Sequence, residues 1–176
     1  LITGVKFDTD NSLWLLNSQA PTASLIRLKD GQFTKLNHSE WMKLNDGGYN
    51  KKSNGNLKDM FIDSRNLLWF VNDNWMKPAY YRYDMVNDIA YAYESFINQD
   101  ETVIQNVYGV KCVTEDIDNN LWIGTDQGPF MIEKASILNG EASLTHVKVP
   151  RNDGTNYADY LLSGINISSI AIDGAG

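Results

Sequence analysis

A motif that recurs at an almost constant interval constrains the fold of this chain more than any other feature. In three places an aspartate stands six residues before a tryptophan. These pairs are Asp8 and Trp14, Asp63 and Trp69, and Asp116 and Trp122. A fourth copy begins at residue 167, and its aspartate is Asp173. Successive aspartates are 55, 53 and 57 residues apart, a period that predicts a propeller or solenoid whose units bury their faces against each other.

Each copy of the motif has the composition of a β-hairpin. A short apolar segment precedes each aspartate, at residues 2 to 7, 57 to 62, 110 to 114 and 167 to 172, and a polar turn separates it from the tryptophan. The aspartate is expected to cap that turn by accepting backbone N–H groups. The strand that carries the tryptophan is apolar at consecutive positions, so both of its faces must be covered. Sheets stacked around an axis satisfy that requirement.

The rest of each repeat supplies a second hairpin. In the first repeat it turns at Asp30 and Gly31, and in the second the run of tyrosines predicts cross-strand pairing among Tyr81, Tyr83, Tyr91 and Tyr93. The third repeat predicts strands at 130 to 133 and 144 to 149, and one turn of helix at 135 to 138. The expected fold is therefore all-β: a β-propeller fragment of about three four-stranded antiparallel blades plus the first strand of a fourth.

The chain is expected to form a single partial propeller with repeats at approximately 1–55, 56–108, 109–165 and 166–176. Closed propellers have about four to eight blades, so 176 residues are too few for a ring. The open ends would expose sheet faces and strand edges. The expected partners are therefore the remaining blades of the same protein, or a second copy of this chain.

The third copy of the motif resembles the two-component-regulator propeller repeat. The matching residues are Leu121, Trp122, Ile123, Gly124, Thr125 and Gly128. The first two copies keep the tryptophan but have Leu15-Leu16-Asn17 and Phe70-Val71-Asn72 in place of Ile-Gly-Thr. Such repeats form the periplasmic sensor propellers of hybrid two-component systems, and similar ones form the PorZ-like surface proteins of type IX secretion. The resemblance implies the periplasm or cell surface of a Gram-negative bacterium, and its motifs specify a fold and not an activity.

Composition excludes several classes of partner and chemistry. A net charge of -7, without a run of more than two lysines or arginines, argues against nucleic acid. The single Cys112 is expected to be a small strand residue. No metal or other cofactor is expected, because His38 and His146 lie far apart in the sequence and the Asp-rich turns lack the later glutamate of a calcium loop.

Loop lengths predict which face of the propeller carries function. The connections between blades, at 37 to 56, 94 to 109 and 150 to 164, are long, as are those between second and third strands at 17 to 24 and 72 to 78. In an up-and-down blade all of these lie on one face, and binding residues are concentrated on loops. The candidate binding residues are the aromatic ones on these loops. They are Trp41, Tyr49, Trp75, Tyr108, Tyr157 and Tyr160.

Three functions follow from this sequence, in decreasing order of preference. The first is a non-catalytic sensor propeller that binds a glycan or small metabolite. The second is a PorZ-like surface protein, which by resemblance would bind lipopolysaccharide. The third is a glycan-cleaving propeller enzyme, disfavoured because no pair of carboxylates around a cleft can be named.

Overall fold

The computed structural model describes residues 1–18, 23–36 and 56–174, and these residues form three four-stranded antiparallel sheets and one two-stranded sheet. We call the four-stranded sheets blades 1, 2 and 3. Blade 1 contains β1 (Ile2–Phe7), β2 (Leu13–Asn17), β3 (Leu25–Lys29) and β4 (Gln32–Leu36). Blade 2 contains β5 (Leu57–Ile62), β6 (Leu67–Asn72), β7 (Ala79–Asp84) and β8 (Ile89–Tyr93). Blade 3 contains β9 (Val110–Glu115), β10 (Leu121–Thr125), β11 (Gly128–Ile132) and β12 (Leu144–Thr145).

The strands of each blade follow one another in space in chain order. The first strands of successive blades contact one another, β1 with β5 and β5 with β9, and therefore lie at the inner side of the assembly. One helical segment, α1 (Lys134–Leu138), lies between β11 and β12, where the sequence predicts a single turn of helix. The described part of the chain has no helix of the length and apolarity needed to span a membrane.

The three tryptophan hairpins share one turn geometry. In each turn the aspartate accepts the indole N–H, with Nε1 to Oδ2 distances of 2.8 Å for Trp14 and 2.9 Å for Trp69 and Trp122. The other carboxylate oxygen accepts two backbone N–H groups, as Asp8 Oδ1 does from Asp10 at 2.9 Å and Ser12 at 2.8 Å. An asparagine, at position 11, 66 or 119, has a positive φ of 58°, 62° or 66°. Asparagine tolerates that conformation, so the turn is specified within a few residues of sequence.

Apolar side chains fill both junctions between the blades. Trp14 is fully buried between blades 1 and 2, at 5.7 Å and nearly edge-on to Tyr83. Trp69 is fully buried between blades 2 and 3, in the same cluster as Ile123 and Phe130. Trp14 and Trp69 therefore each face the blade that follows in the chain. Trp122 is only partly buried, and it lines a cavity together with residues of the irregular segment at 161 to 172.

Within the described residues, hydrogen bonds from side chains cross both junctions. Between blades 1 and 2, Ser18 Oγ accepts the N–H of Leu57 at 3.1 Å. Between blades 2 and 3, the side chain of Arg65 reaches Asn119 O at 2.8 Å and Glu115 Oε1 at 3.1 Å. Other links also cross this junction. They include Asp59 Oδ2 to Val113 N at 2.7 Å, Lys111 Nζ to Asp73 Oδ1 at 3.1 Å, and Arg82 Nη2 to Gly140 O at 3.0 Å.

The Gly-Thr part of the motif in blade 3 allows close packing of the chain that follows. A Cβ on Gly124 would overlap Cys112 Sγ and come within 2.9 Å of Ile167 Cγ2. Thr125 Oγ1 donates to Gly128 O at 2.9 Å and accepts the N–H of Gln127 at 2.9 Å, which closes the tight turn into β11. Gly128 has a φ of +119°, which favours glycine.

Two details of the sequence prediction are wrong, and a third stays a prediction. Residues 167 to 172, expected to be the first strand of a fourth blade, pair with no strand among the described residues, so that expectation is untested. The predicted strand at 144 to 149 is divided into β12 and β13 (Lys148–Pro150), and β13 pairs with an unpredicted strand, β14 (Ala158–Tyr160). Finally, the pairing register places Ala92 opposite Tyr81 and Ala90 opposite Tyr83, so neither tyrosine has a tyrosine opposite it on β8.

Candidate functional site

The chain topology determines which connections share a face. Because neighbouring strands are antiparallel, the β2–β3 and β6–β7 connections and the blade-linking segment 94 to 109 lie on the same face, which we call the long-loop face. Blade 3 departs from the prediction that all long connections lie there. Its β10–β11 connection is only Asp126 and Gln127, and its long connection, 133 to 143, lies on the opposite face.

A cluster of charges lies on the long-loop face where β5, β6 and β9 meet. Asp73 follows β6, and its carboxylate contacts Lys58 Nζ at 2.7 Å and Lys111 Nζ at 3.1 Å. Its side chain is 15% exposed. Burial alone would raise the pKa of Asp73, but the hydrogen bonds from Lys58 and Lys111 dominate and hold that pKa below its usual value. Gly109 makes room for the cluster, because a Cβ there would overlap the Asp73 carboxylate.

Replacing Asp73 with asparagine should make stability less dependent on pH. A carboxyl group with a lowered folded-state pKa contributes stability that is present above its unfolded pKa of 3.8 and is lost as pH falls through the folded value. In urea denaturation at several pH values, the difference between wild type and Asp73→Asn should be constant near neutral pH and shrink below pH 3.8. Asp126→Asn, at the equivalent position in blade 3, is the control. A pH-independent difference for Asp73→Asn would contradict the ion-pair cluster.

The four candidate aromatic residues that the structure describes do not form one contact cluster. Trp75, Tyr108 and Tyr157 are 71%, 55% and 70% exposed, whereas Tyr160 is only partly exposed. Trp75 comes two residues after Asp73, and Tyr108 comes directly before Gly109, so both flank the charge cluster in the chain. Trp41 and Tyr49 lie outside the described residues.

Tyr160 belongs to a group of stacked rings on the outer part of blade 3. Its ring stacks on His146 with centroids 4.3 Å apart, and His146 also contacts Phe130 at 4.5 Å. The Tyr160 hydroxyl donates to Asp100 Oδ2 at 2.8 Å, which ties the segment 94 to 109 to this group. Burial lowers the pKa of His146, so the imidazole is neutral at pH 7.

The described residues offer no metal-ligating or nucleophilic cluster. They contain no group of three or more His, Cys, Asp or Glu side chains arranged to hold a metal ion. Burial raises the pKa of the Cys112 thiol to about 11, so it stays protonated and is a poor nucleophile at neutral pH. His38 lies outside the part of the chain that the structure describes.

The geometry described so far is that of successive blades of a β-propeller. Residues 104–127, which contain the third Asp-turn-Trp hairpin, match the family model of the two component regulator propeller. This match confirms the repeat family recognised in the sequence. No curated protein matches the chain.

Three solved structures illustrate the similarity. PorZ, a surface component of the type-IX secretion system of Porphyromonas gingivalis, has a TM-score of 0.76 at 14% identity, over 98% of this chain and 23% of PorZ. The extracellular domain of a protein described as a one component system of B. thetaiotaomicron has a TM-score of 0.60 at 14% identity, over 99% of this chain and 18% of that one. Virginiamycin B lyase of Staphylococcus aureus has a TM-score of 0.53 at 14% identity, over 86% of this chain and 42% of the lyase.

At these identities the structural similarity shows the fold, and the fold is that of a β-propeller segment. The chain spans less than a quarter of the length of PorZ and of the B. thetaiotaomicron protein. One of the three similar structures is an enzyme, so the fold by itself does not exclude catalysis.

Proposed function

We propose that this chain is a non-catalytic, ligand- or partner-binding part of a periplasmic or cell-surface propeller in a sensor of the two-component-regulator type. The observation that carries the proposal is the match of residues 104–127 to the regulator propeller repeat, repeated as a hairpin in blades 1 and 2. The carboxyl groups of Asp8, Asp73 and Asp116 all have a pKa below the ordinary value, because hydrogen bonds to each carboxylate outweigh the effect of burial. A general acid for glycan cleavage needs a raised pKa. The lowered pKa values of these carboxyl groups therefore favour a binding role over catalysis.

The long-loop face is the proposed binding surface, and Trp75 is its most exposed described aromatic residue. Trp75 is 71% exposed on a turn where Lys77 N donates to Asn74 O at 3.0 Å. An aromatic ring held in solvent on a short turn contributes little to packing, but it can stack on a sugar or on a partner side chain.

Trp75→Ala is expected to abolish ligand binding while changing the free energy of unfolding by less than about 1 kcal/mol. The measurement is calorimetric titration of the intact protein with an oligosaccharide panel and with purified lipopolysaccharide, beside urea denaturation of wild type and variant. Trp75→Phe, which keeps an aromatic face, is the matched control and should retain binding. Unchanged binding by Trp75→Ala would contradict the assignment of this face, and its unfolding would show that Trp75 is a packing residue.

A PorZ-like role in type IX secretion is the second candidate. It is favoured by the TM-score of 0.76 to PorZ, compared with 0.60 for the extracellular sensor domain. In the titrations above, this role predicts binding of lipopolysaccharide and not of the neutral oligosaccharides. The sensor role predicts the reverse.

Blade 1 has an exposed apolar face on the side that blade 2 does not cover. This face supports the proposed partners, which are further blades of the same protein or a second copy of the chain. Phe7 and Phe33 are each 66% exposed and lie in one cross-strand row with Leu13 and Leu28. The equivalent row of blade 2, which includes Leu68 and Tyr83, is buried against blade 1. An apolar row of this kind marks an interface. Sedimentation of the 176-residue chain as a stable monomer would argue against the second copy.

A further inference from the structure

The β13–β14 hairpin, residues 148 to 160, leaves blade 3 on the long-loop face. It follows β12 as the segment 94 to 109 follows β8, and Gly164 beyond it donates its N–H to Gln127 O in the β10–β11 turn at 3.0 Å. All three residues of β13 are exposed, and in β14 only Tyr160 is partly buried. A two-stranded hairpin with so little buried surface depends on a few contacts for its position.

Those contacts meet at His146, which comes two residues before β13. His146 is 4% exposed, and its ring lies between Phe130 on β11 and Tyr160 on β14, at centroid distances of 4.5 Å and 4.3 Å. Its Nε2 atom donates to Leu161 O at 3.3 Å, because a carbonyl oxygen can only accept. The side chain of Gln99 bonds His146 N at 2.8 Å and His146 O at 3.0 Å. The hairpin and its two neighbouring elements are therefore joined at one buried imidazole.

The charged groups around this imidazole are already paired with one another. Asp100 Oδ2 accepts the Tyr160 hydroxyl at 2.8 Å and contacts Lys148 Nζ at 2.7 Å. Within the hairpin, Arg151 Nη2 lies 2.6 Å from Asp159 Oδ1. These hydrogen bonds lower the pKa of both carboxyl groups and raise the pKa of Lys148 and Arg151. All four groups therefore stay charged between about pH 5 and pH 7.5, and none of them titrates there.

The imidazole is held in a place that does not favour a positive charge. Burial lowers the pKa of His146, and the bond to Leu161 O opposes this effect only in part. Among the described residues no carboxylate contacts the imidazole; Glu133, at the end of β11, instead accepts the hydroxyl of Thr145 at 3.4 Å. A released hairpin would expose the ring to water and restore its ordinary pKa of 6.5. Because the released state binds the proton more readily, the attached state loses stability as pH falls below that value.

We propose that His146 is a pH-sensitive latch whose protonation below about pH 6 releases the β13–β14 hairpin from blade 3. At neutral pH the stacked rings hold the hairpin down. Release uncovers Phe130 and the part of the segment 94 to 109 that carries Asp100, and so changes the surface of the long-loop face.

Hydrogen exchange measured by mass spectrometry on the intact protein at about pH 7.5 and about pH 5.0, corrected for intrinsic exchange rates, tests this latch. The reporters are the amide of His146, bonded to Gln99, and hairpin amides such as that of Arg151, which donates to Tyr157 O at 2.8 Å. Their opening constant should rise on acidification by up to about thirtyfold, the limit for a group with a pKa of 6.5 when released and no proton when latched. Amides of blade 2 should show no such rise. The experiment needs no ligand, so its outcome is independent of the proposed binding function.

Three variants separate the latch from general packing. His146→Phe keeps a ring between Phe130 and Tyr160 but cannot take a proton, so its hairpin should stay protected at both pH values. Tyr160→Ala removes the ring that closes the latch, so its hairpin should exchange at about pH 7.5 as fast as that of wild type at about pH 5.0. Tyr157→Ala is the matched control, because Tyr157 is 70% exposed in the same hairpin, and it should respond to pH as wild type does.

Proton NMR follows the imidazole itself, and it decides the matter even if His146→Phe fails to fold. The chain has two histidines, so His38→Gln leaves His146 as the only one. Its titration midpoint should lie below 6.5 and coincide with the loss of hairpin protection. A midpoint at or above 6.5, an acid response that persists in His146→Phe, or an equal loss of protection in blade 2 would overturn the latch.

Discussion

Replacing Trp69 with alanine is expected to lower the free energy of unfolding by about 3–5 kcal/mol. Trp69 is fully buried in the core cluster that joins blades 2 and 3. The substitution creates a cavity at this junction and also leaves Asp63 without the indole N–H that it accepts at 2.9 Å. Urea denaturation followed by circular dichroism measures the loss independently of tryptophan fluorescence.

Trp122→Ala is the matched control, because Trp122 occupies the same motif position and makes the same bond, to Asp116 at 2.9 Å. Trp122 is only partly buried, so we expect a smaller loss of about 1–2 kcal/mol. Equal losses for the two variants would show that position in the hairpin, and not burial between blades, determines the stabilisation.

Asp63→Ala is expected to destabilise the protein by a similar amount, about 3–5 kcal/mol, because it removes one partner of a buried ion pair. The Asp63 side chain has no solvent exposure and lies 2.9 Å from Arg65 Nη2. Its Oδ1 atom also accepts the backbone N–H groups of Arg65 and Leu67, both at 2.9 Å. The variant therefore loses the turn cap and leaves a largely buried guanidinium with Glu115 as its remaining carboxylate partner.

Asp8→Ala tests which part of this effect comes from the ion pair. Asp8 makes the same turn bonds to Trp14, Asp10 and Ser12, and no arginine contacts it among the described residues. Its loss should cost about 1–3 kcal/mol, the cost of leaving turn donors unpaired. If chemical denaturation gave Asp8→Ala the larger effect, the assigned role of Arg65 at the blade 2–3 junction would be wrong.

The hairpins were predictable from sequence because their determinants are local. All the bonds that define the turn at Asp8 join residues no more than six positions apart, and the predicted segments 2 to 7 and 57 to 62 coincide with β1 and β5. A period of about 55 residues then gives the number of blades, since every repeat must bury the same faces.

Features that depend on neighbouring blades were not predictable in this way. The contact of Lys111 with Asp73 joins residues 38 positions apart. Its only sequence signal is a lysine five residues before the motif aspartate in two repeats, Lys58 before Asp63 and Lys111 before Asp116. The direction in which Tyr81 points depends on the pairing register, which a run of alternating tyrosines leaves open.

The bonds between blades 2 and 3 have a consequence for how these two blades can move. Hydrogen bonds constrain direction, whereas apolar contact permits sliding and small rotations. Blades 2 and 3, linked by Arg65, Asp59, Lys111 and Arg82, are therefore expected to move as one unit. Rotation of blade 3 against blade 2 would have to break these directional bonds.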